Sequence, residues 1–229
     1  MRRLTVILCL TLAVLLGSTG VSWSADLEKG LDAYKNKDYA TALRELKPLA
    51  EQGHARAQNS VGLLYLFGNG VKTNLATALE WIQKSASAGD PRGQNTLGMM
   101  YANGKGVSQD NKTAVKWYKL AAEQGYANAQ HFLGWMYKSG KGVPKDDKEA
   151  VKWYRLAAEQ GNAFGQNALG NMYDAGRGVP KDDKESAKWR TLAAEQGNSQ
   201  SQYNLGVMYE NGKGVSQDDK TAVNWYTLA

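Results

Sequence analysis

The side chains that could support acid–base, nucleophilic or metal chemistry are few and scattered along the chain. Among 229 residues there are two histidines, His54 and His131, and neither has an acidic partner at the spacing that metal ligands adopt. The single cysteine, Cys9, lies in an apolar N-terminal segment. There is no Gly-x-Ser-x-Gly motif, and no Ser/His/Asp set can be assembled. The sequence therefore predicts no catalytic site, no metal site and no cofactor.

Two kinds of segment resemble nucleotide or cation sites but lack what those sites require. In Gly134–Lys141, five residues separate the two glycines where a phosphate-binding loop needs four, and Gly142 replaces the Ser or Thr that holds magnesium. The Asp-Asp pairs at 146–147, 182–183 and 218–219 lack the alternation and the glycine of a calcium loop. We interpret these pairs as helix N-caps, where the helix dipole favours a carboxylate.

Residues 1–24 have the composition of a secretory signal peptide. Two arginines precede a largely apolar run from Leu4 to Leu16, and Ser22 and Ser24 occupy the −3 and −1 positions of a cut after Ser24. An uncleaved anchor is the alternative, but the run of 13 residues is shorter than the ~20 that a membrane-spanning helix needs. The sequence predicts export to the periplasm, or secretion, with no stable membrane insertion after cleavage.

The charge of the chain does not indicate a nucleic-acid partner. There are 28 lysines and arginines against 22 aspartates and glutamates, which gives a net charge of +6. Loss of Arg2 and Arg3 with residues 1–24 leaves 26 basic and 22 acidic side chains, a net charge of +4. This excess is too small to predict nucleic-acid binding, and we expect no nucleic-acid partner.

A strict period of 36 residues dominates the remainder of the chain. Tryptophan recurs at Trp81, Trp117, Trp153, Trp189 and Trp225. The same spacing holds for Gly62, Gly98, Gly134, Gly170 and Gly206, and for Tyr65, Tyr101, Tyr137, Tyr173 and Tyr209. The period defines four full units, at 57–92, 93–128, 129–164 and 165–200, and a truncated fifth at 201–229. The segment 25–56 lacks the Gly-x-Gly loop and is predicted to be a capping repeat.

Each unit alternates between helix and turn signals, as the unit 129–164 shows. A first helix is predicted from about Ala129 to Ser139, and the glycines at 140 and 142 end it because glycine adopts a positive φ without strain. Asp146, with Glu149 three residues later, predicts a capping box at the start of a second helix. That helix ends near Gln160. Two helices per unit and short turns indicate an all-α helical solenoid.

The repeated residues also resemble a known family. The pattern A-x-x-x-L-G-x-x-Y-x-x-G-x-G-V, followed by A-x-x-W-Y-x-x-A-A-x-x-G, is matched by Ala129, Leu133, Gly134, Tyr137, Gly140, Gly142, Val143, Ala150, Trp153, Tyr154, Ala157, Ala158 and Gly161. It resembles the Sel-1-like repeat, a relative of the tetratricopeptide repeat, across 57–229, and 25–56 resembles a shorter tetratricopeptide unit. Ile82 and Arg190 depart from the pattern, because each replaces the tyrosine after the tryptophan.

The resemblance implies a right-handed α-solenoid of stacked helix-turn-helix repeats that serves as a non-enzymatic adaptor. Exported bacterial members of the family are similar in serving periplasmic regulation or contacts with host proteins. A cysteine-rich Helicobacter type is linked to penicillin binding, but it carries a disulfide in each repeat, which this chain lacks. A hydrolase resembling β-lactamases therefore stands only as an alternative function.

Comparison of the units with one another separates positions that pack from positions that vary. On a helix of about 100° per residue, the positions of the first helix that vary fall within an arc of roughly 120°. We predict that the constant side, with the repeated Trp, Tyr and Leu, forms the core, and that the variable side lines a concave groove that binds a protein or extended peptide. The predicted groove residues are Asn59, Leu63, Leu66, Asn95, Met99, His131, Phe132, Trp135, Lys138, Asn167, Asn171, Asp174, Tyr203, Asn204, Val207 and Glu210.

The second helices carry a basic stripe formed by Lys112, Lys116, Lys119, Lys148, Lys152, Arg155, Lys184 and Lys188. Its spacing places these side chains on one helix face, which we interpret as a solvated face. Binding of an anionic lipid or a cell-wall polymer by this stripe is the alternative function.

Overall fold

The computed structural model describes residues 19–229, with side chains from Leu27 onwards. Within these residues the chain forms twelve helices and no strand. The helices are α1 Thr19–Lys35, α2 Tyr39–Glu51, α3 Ala55–Phe67, α4 Leu75–Ser87, α5 Pro91–Asn103, α6 Asn111–Glu123, α7 Ala127–Ser139, α8 Asp147–Glu159, α9 Ala163–Ala175, α10 Asp183–Glu195, α11 Ser199–Asn211 and α12 Asp219–Leu228. The predicted all-α repeat fold is confirmed.

The start of the predicted signal peptide, residues 1–18, lies outside the described residues. Helix α1 begins at Thr19, so the predicted cleavage site after Ser24 falls within this helix. No helix among the described residues combines the length and the apolar character needed to cross a bilayer.

The contacts between helices divide the chain into two compact units. The N-terminal unit extends to Thr96, and the C-terminal unit runs from Leu97 to Ala229. In the N-terminal unit α1 pairs with α2 and α3 with α4, while α2 contacts α3. In the C-terminal unit α7 pairs with α8, α9 with α10 and α11 with α12, and each of these hairpins contacts the helix before it in sequence. Each unit is therefore a series of helical hairpins packed in sequence order.

The turn within each hairpin is fixed by a glycine and an aspartate, as in α7 and α8. Gly140 caps α7 in the left-handed conformation with φ of 68°. The Asp146 carboxylate caps α8 by accepting hydrogen bonds from the backbone N–H groups of Lys148 at 2.9 Å and Glu149 at 3.0 Å. The predicted N-cap is confirmed, but the reciprocal half of the capping box is wrong. The Asp146 N–H donates instead to the Tyr137 carbonyl at 3.0 Å.

The second glycine of the Gly-x-Gly loop is required by the preceding hairpin. Gly142 has φ of 75° and lies against the carbonyl oxygen of Asn111, at the start of α6, where a Cβ would collide. Gly178 and Gly214 make the same approach to Asp147 and Asp183. The first glycine of the loop therefore ends a helix, and the second lets consecutive hairpins approach.

The constant glutamine of each first helix joins one hairpin to the hairpin before it. The Gln130 side-chain Nε2 donates to the Ala122 carbonyl in the last turn of α6 at 3.2 Å. The Ala122 carbonyl also accepts a hydrogen bond from the Gly125 backbone N–H at 3.0 Å, so the glutamine supplies its second hydrogen bond and gives the buried side-chain amide a partner. The same bond joins Gln58 to Ala50, Gln94 to Ala86, Gln166 to Ala158 and Gln202 to Ala194.

The repeated apolar residues form the core with one qualification. Leu133 is fully buried, and Trp153 and Trp189 are 9% and 8% exposed. Trp81, Trp117, Trp225 and the repeated tyrosines are only partly buried. Trp81 and four of the tyrosines, Tyr65, Tyr101, Tyr137 and Tyr173, nevertheless pack against the buried clusters, so they lie at the edge of the core. The largest fully buried aromatic side chain is instead Tyr154, the residue after the tryptophan.

Tyr154 is buried because Gly134 leaves room for its ring. A Cβ built on Gly134 would lie 2.7 Å from Cδ1 of Tyr154 and 3.1 Å from the Ala150 carbonyl oxygen. Real Cβ atoms do not approach a ring carbon so closely, so the two helices meet at this distance only because residue 134 has no side chain. This close approach explains why a glycine recurs in the middle of each first helix. The equivalent pairs are Gly62 with Ile82, Gly98 with Tyr118, Gly170 with Arg190 and Gly206 with Tyr226.

Gly134→Ala is expected to lower the free energy of unfolding by about 1–3 kcal/mol, because overpacking against the Tyr154 ring outweighs the gain of alanine in helix propensity. The matched control is Gly170→Ala, where the nearest atom is Cγ of the flexible Arg190 side chain at 3.0 Å, and the loss is expected to be smaller. Urea unfolding measures both. A Gly134→Ala protein as stable as the wild type would rule out the tight contact.

Candidate functional site

The predicted groove residues of the N-terminal unit are less exposed than the sequence predicts. Asn59 and Leu66 are each only 4% exposed, so the expectation that their side chains are uncovered is wrong. Leu63 and Asn95 are half-buried. The sequence places a residue at an angle around its own helix, but it does not show which neighbouring side chains cover that angle.

In the C-terminal unit the same helix side carries exposed aromatic side chains. Trp135 on α7 is 39% exposed, Phe164 on α9 is 62% exposed, and Tyr203 on α11 is 53% exposed. These three residues form the aromatic face. The other predicted groove residues of this unit are half-buried or exposed: Met99, His131, Phe132, Lys138, Asn167, Asn171, Asp174, Asn204, Val207 and Glu210.

Phe164 is the member of the aromatic face that the sequence analysis missed. The first helices begin two residues earlier than predicted, because α9 starts at Ala163 and not at Gly165. Asn162 supplies the signal for this start, since its side chain caps the helix by accepting a hydrogen bond from the Gly165 N–H at 2.8 Å. An asparagine before the helix therefore locates its first residue better than the constant alanine or glycine.

His131 lies at the centre of an aromatic cluster. Its ring centroid is 5.2 Å from that of Phe132, 5.8 Å from that of Tyr154 and 5.9 Å from that of Phe164. Burial among these rings lowers the pKa of the imidazole to about 4, because an apolar environment disfavours the charged form. The imidazole is therefore neutral near pH 7 and contributes ring surface. Among the described residues, no group of three metal-binding side chains is assembled around it or elsewhere.

A pocket of about 330 Å³ opens beside this cluster. Its lining residues come from α5, α6, α7, the loop between α5 and α6, and the loop that follows α7: Met99, Ala102, Asn103, Gln109, Asn111, Tyr118, His131, Phe132, Trp135 and Lys141. The Tyr118 and Phe132 rings stack with their centroids 5.4 Å apart. The structure thus brings together four predicted groove residues, Met99, His131, Phe132 and Trp135, in one concavity.

Two predicted groove residues, Asn171 and Asp174, are engaged inside the protein. Arg190, whose side chain is 7% exposed, donates to Asp174 at 3.0 Å and to Asn171 at 2.9 Å. Lys213 also pairs with Asp174. Although partial burial raises it, hydrogen bonds from Lys213 and Arg190 hold the pKa of Asp174 below its usual value. In this repeat Arg190 occupies the position where the other repeats of the C-terminal unit have tyrosine. Asn171 and Asp174 are the residues that receive its guanidinium.

Further predicted residues also have partners within the protein. Asn167 accepts a hydrogen bond from the Ser201 hydroxyl at 2.9 Å, and Glu210 accepts one from the Tyr226 hydroxyl at 2.7 Å. Their side chains therefore support the contact between neighbouring helices on the variable side.

The lysines of the basic stripe are exposed but partly neutralised, whereas Arg155 is half-buried and donates a hydrogen bond to the Tyr173 hydroxyl at 2.7 Å. Lys119 pairs with Glu123 at 3.7 Å, Lys152 with Glu149 at 3.5 Å and Lys188 with Glu185 at 3.1 Å. Lys152 and Lys188 also lie over the Trp153 and Trp189 rings of their own helices. The acidic neighbours reduce the positive charge that the stripe presents to solvent.

Comparison with known proteins agrees with this repeat architecture. A family model described as Sel1 repeat matches residues 55–90, 91–126, 127–162, 163–198 and 199–229. Each match begins at the first residue of a first helix of the structure. No match to the chain was found among curated proteins.

Solved structures include close relatives of the chain. A protective antigen present in uropathogenic Escherichia coli strains, which displays an SLR fold, is 44% identical, with a TM-score of 0.74 over 81% of this chain and 40% of the antigen. This chain thus spans 40% of the antigen's length. A Sel1 repeat protein from Oxalobacter formigenes is 36% identical, with a TM-score of 0.78 over 89% of this chain and 81% of that protein. An immunity protein from Pseudomonas aeruginosa shares the fold at 20% identity, with a TM-score of 0.63 over 87% of this chain and 80% of that protein.

The pairing of Arg190 with Asp174 yields a stability prediction. Asp174→Ala is expected to lower the free energy of unfolding by ~1–3 kcal/mol, since it leaves a buried guanidinium with one partner fewer. In an Arg190→Tyr background, which restores the residue found at this position in neighbouring units, the same substitution is expected to cost less. Urea unfolding of the four proteins of this double-mutant cycle measures the difference. Equal costs in both backgrounds would show that the pair is not coupled.

Proposed function

Because the chain belongs to the Sel1 repeat family, whose members serve as protein-interaction scaffolds, we propose that it is a non-enzymatic scaffold of the bacterial cell envelope that binds a protein or an extended peptide. The proposed binding surface is the aromatic face of the C-terminal unit, with the pocket beside it. The envelope location rests on the signal-peptide composition of residues 1–24.

The observation that carries this proposal is the exposure of Trp135, Phe164 and Tyr203 on three successive first helices. Large aromatic side chains exposed to water are unfavourable for a free protein, and Trp and Tyr are enriched among the residues that contribute most to binding. The first helices are also where the units differ most in sequence, whereas their glycines, glutamines and leucines are kept for packing. The variable side of the first helices differs in sequence from repeat to repeat while the fold stays constant. Such a surface suits recognition of a partner whose own sequence is not repetitive.

The proposal assigns no catalytic residue to this surface. The family's fold is generally a non-catalytic scaffold. The His131 imidazole, which contacts Phe164 of the aromatic face, is neutral near pH 7 because of its burial, and its other ring contacts are with Phe132 and Tyr154. The chemistry of the surface is therefore that of apolar and aromatic contact.

The basic stripe supplies the competing proposal, binding to an anionic lipid or wall polymer through the second helices. The ion pairs of Lys119, Lys152 and Lys188 with glutamates weigh against it, because paired lysines attract an anionic surface less strongly. The two proposals place the partner on different helices, so an experiment that reports position separates them.

Site-specific photocrosslinking in envelope extracts tests the proposed surface. With p-benzoylphenylalanine in place of Trp135 or Tyr203, we expect a discrete protein or peptide adduct. The matched control carries it in place of Leu156, which lies on α8 in the same unit and is 38% exposed, against 39% for Trp135. We expect no adduct from the control. Adducts from position 156 alone, or adducts that contain lipid or glycan, would favour the second-helix surface and contradict the proposal.

A further inference from the structure

The pocket beside Trp135 has an apolar floor of fixed shape. Tyr118 is 2% exposed and stacks on Phe132, with their rings inclined by 20°, so the floor is held by the core. Met99 packs against the same core cluster from α5. The 39% exposed Trp135 forms a wall that remains open to solvent. A partner side chain that enters the pocket therefore meets rings and a thioether that are already in place.

The volume of the pocket limits what it can hold. At about 330 Å³ it lies at the small end of the range of roughly 300–1,000 Å³ that small-molecule sites span. A single large side chain fits such a space, and an aromatic ring fits its floor best, because rings pack against rings in stacked or edge-on arrangements. The pocket is thus suited to one anchor residue of a longer chain.

One positive charge stands at the edge of this pocket. The Lys141 ammonium lies 4.6 Å from the centroid of the Trp135 ring. It is the only lining side chain that carries a charge near pH 7, since no carboxylate lines the pocket and the imidazole of His131 is neutral. Lys141 forms no ion pair with any residue that the structure describes. Lys138 does not line the pocket. The hydrogen bond from Arg177 is the main cause of the lowered pKa of Asp147, and Lys138 adds only a small part to it.

The polar groups on the rim can hold an extended backbone. The Asn103 side-chain nitrogen donates to the Met99 carbonyl at 2.9 Å, and that of Gln109 donates to the Ala102 carbonyl at 2.7 Å. These bonds orient the two amides and leave their oxygens as acceptors for backbone N–H groups of a bound chain.

We propose that this pocket is the anchor subsite for an acidic peptide, in which an aromatic side chain fills the pocket and the carboxylate of an adjacent aspartate or glutamate pairs with Lys141. The proposal rests on the proposed function, since it names the chemistry of the partner that the aromatic face binds. The apolar floor selects the aromatic residue, and the unpaired ammonium selects the charge beside it. A lysine or arginine at the adjacent position is disfavoured, because it would lie against Lys141 and no carboxylate lines the pocket to offset the repulsion.

The experiment is a selection of displayed decapeptides on the full mature chain, with counter-selection against Trp135→Ala. We expect enriched peptides to carry an aromatic residue next to Asp or Glu. A synthetic enriched peptide, compared with versions in which the acid is changed to Gln or Lys, is then titrated by fluorescence anisotropy. The acidic peptide is expected to bind at least about tenfold more tightly than the lysine version. This difference in affinity is expected to shrink as the salt concentration rises, because salt screens the charge of Lys141.

Two variants attribute this preference to one side chain. Lys141→Gln is expected to abolish the preference for the acidic peptide while binding of the glutamine version stays within about twofold of wild type. Lys145→Gln is the matched control, because it removes the same charge from the same loop at an exposed position outside the pocket lining, and the preference should persist.

The outcomes separate this inference from the proposed function. Enriched peptides that lack an acid beside the aromatic residue, or an undiminished preference in Lys141→Gln, would overturn the acidic-peptide subsite and leave the peptide-binding surface intact. If no peptide distinguishes the wild type from Trp135→Ala, the aromatic face is not a binding surface and the proposed function itself fails.

Discussion

The close approach of two helices at a glycine is the constraint on which the repeat depends. Tyr154 enters the core only because Gly134 has no side chain in its way, and Gly98 plays the same part for Tyr118. The contact fixes the distance between the two helices of a hairpin and buries a ring, at the expense of a residue with poor helix propensity. Once this side of the first helix is committed to close packing, its residues cannot vary without loss of stability.

The opposite side of the first helix makes no such close contact, so its residues can vary. In the C-terminal unit the residues on this side have two different roles. Where an arginine replaces the tyrosine, Asp174 and Asn171 on the variable side receive the buried guanidinium, so variation there compensates for a change in the core. In the preceding repeat the same side of the first helix carries Trp135, which is 39% exposed and receives no buried charged group. Variability between repeats therefore marks two different roles, and only contacts distinguish them.

The sequence predicted the features that local geometry determines. A period of 36 residues located the hairpins, and glycine and aspartate signals located Gly140 and Asp146, because a positive φ and an unpaired helix end each demand a particular residue type. It could not predict that Asn59 is covered, since burial depends on side chains from neighbouring helices. Nor could it predict the pocket beside Lys141, because that lysine follows the helix in a glycine loop whose path only the folded hairpin defines.

In the hairpin of α7 and α8, packing and recognition are proposed to use different tryptophans. This pair of tryptophans tests the proposal, because Trp135 is 39% exposed and Trp153 is 9% exposed. The measurement is the free energy of unfolding together with the affinity for a peptide that the wild type selects. Trp153→Ala should lose ~3–5 kcal/mol of stability, whereas Trp135→Ala should lose only about 1 kcal/mol while it loses the peptide. A Trp135→Ala protein that unfolds as easily as Trp153→Ala, or that keeps full affinity, would contradict the account.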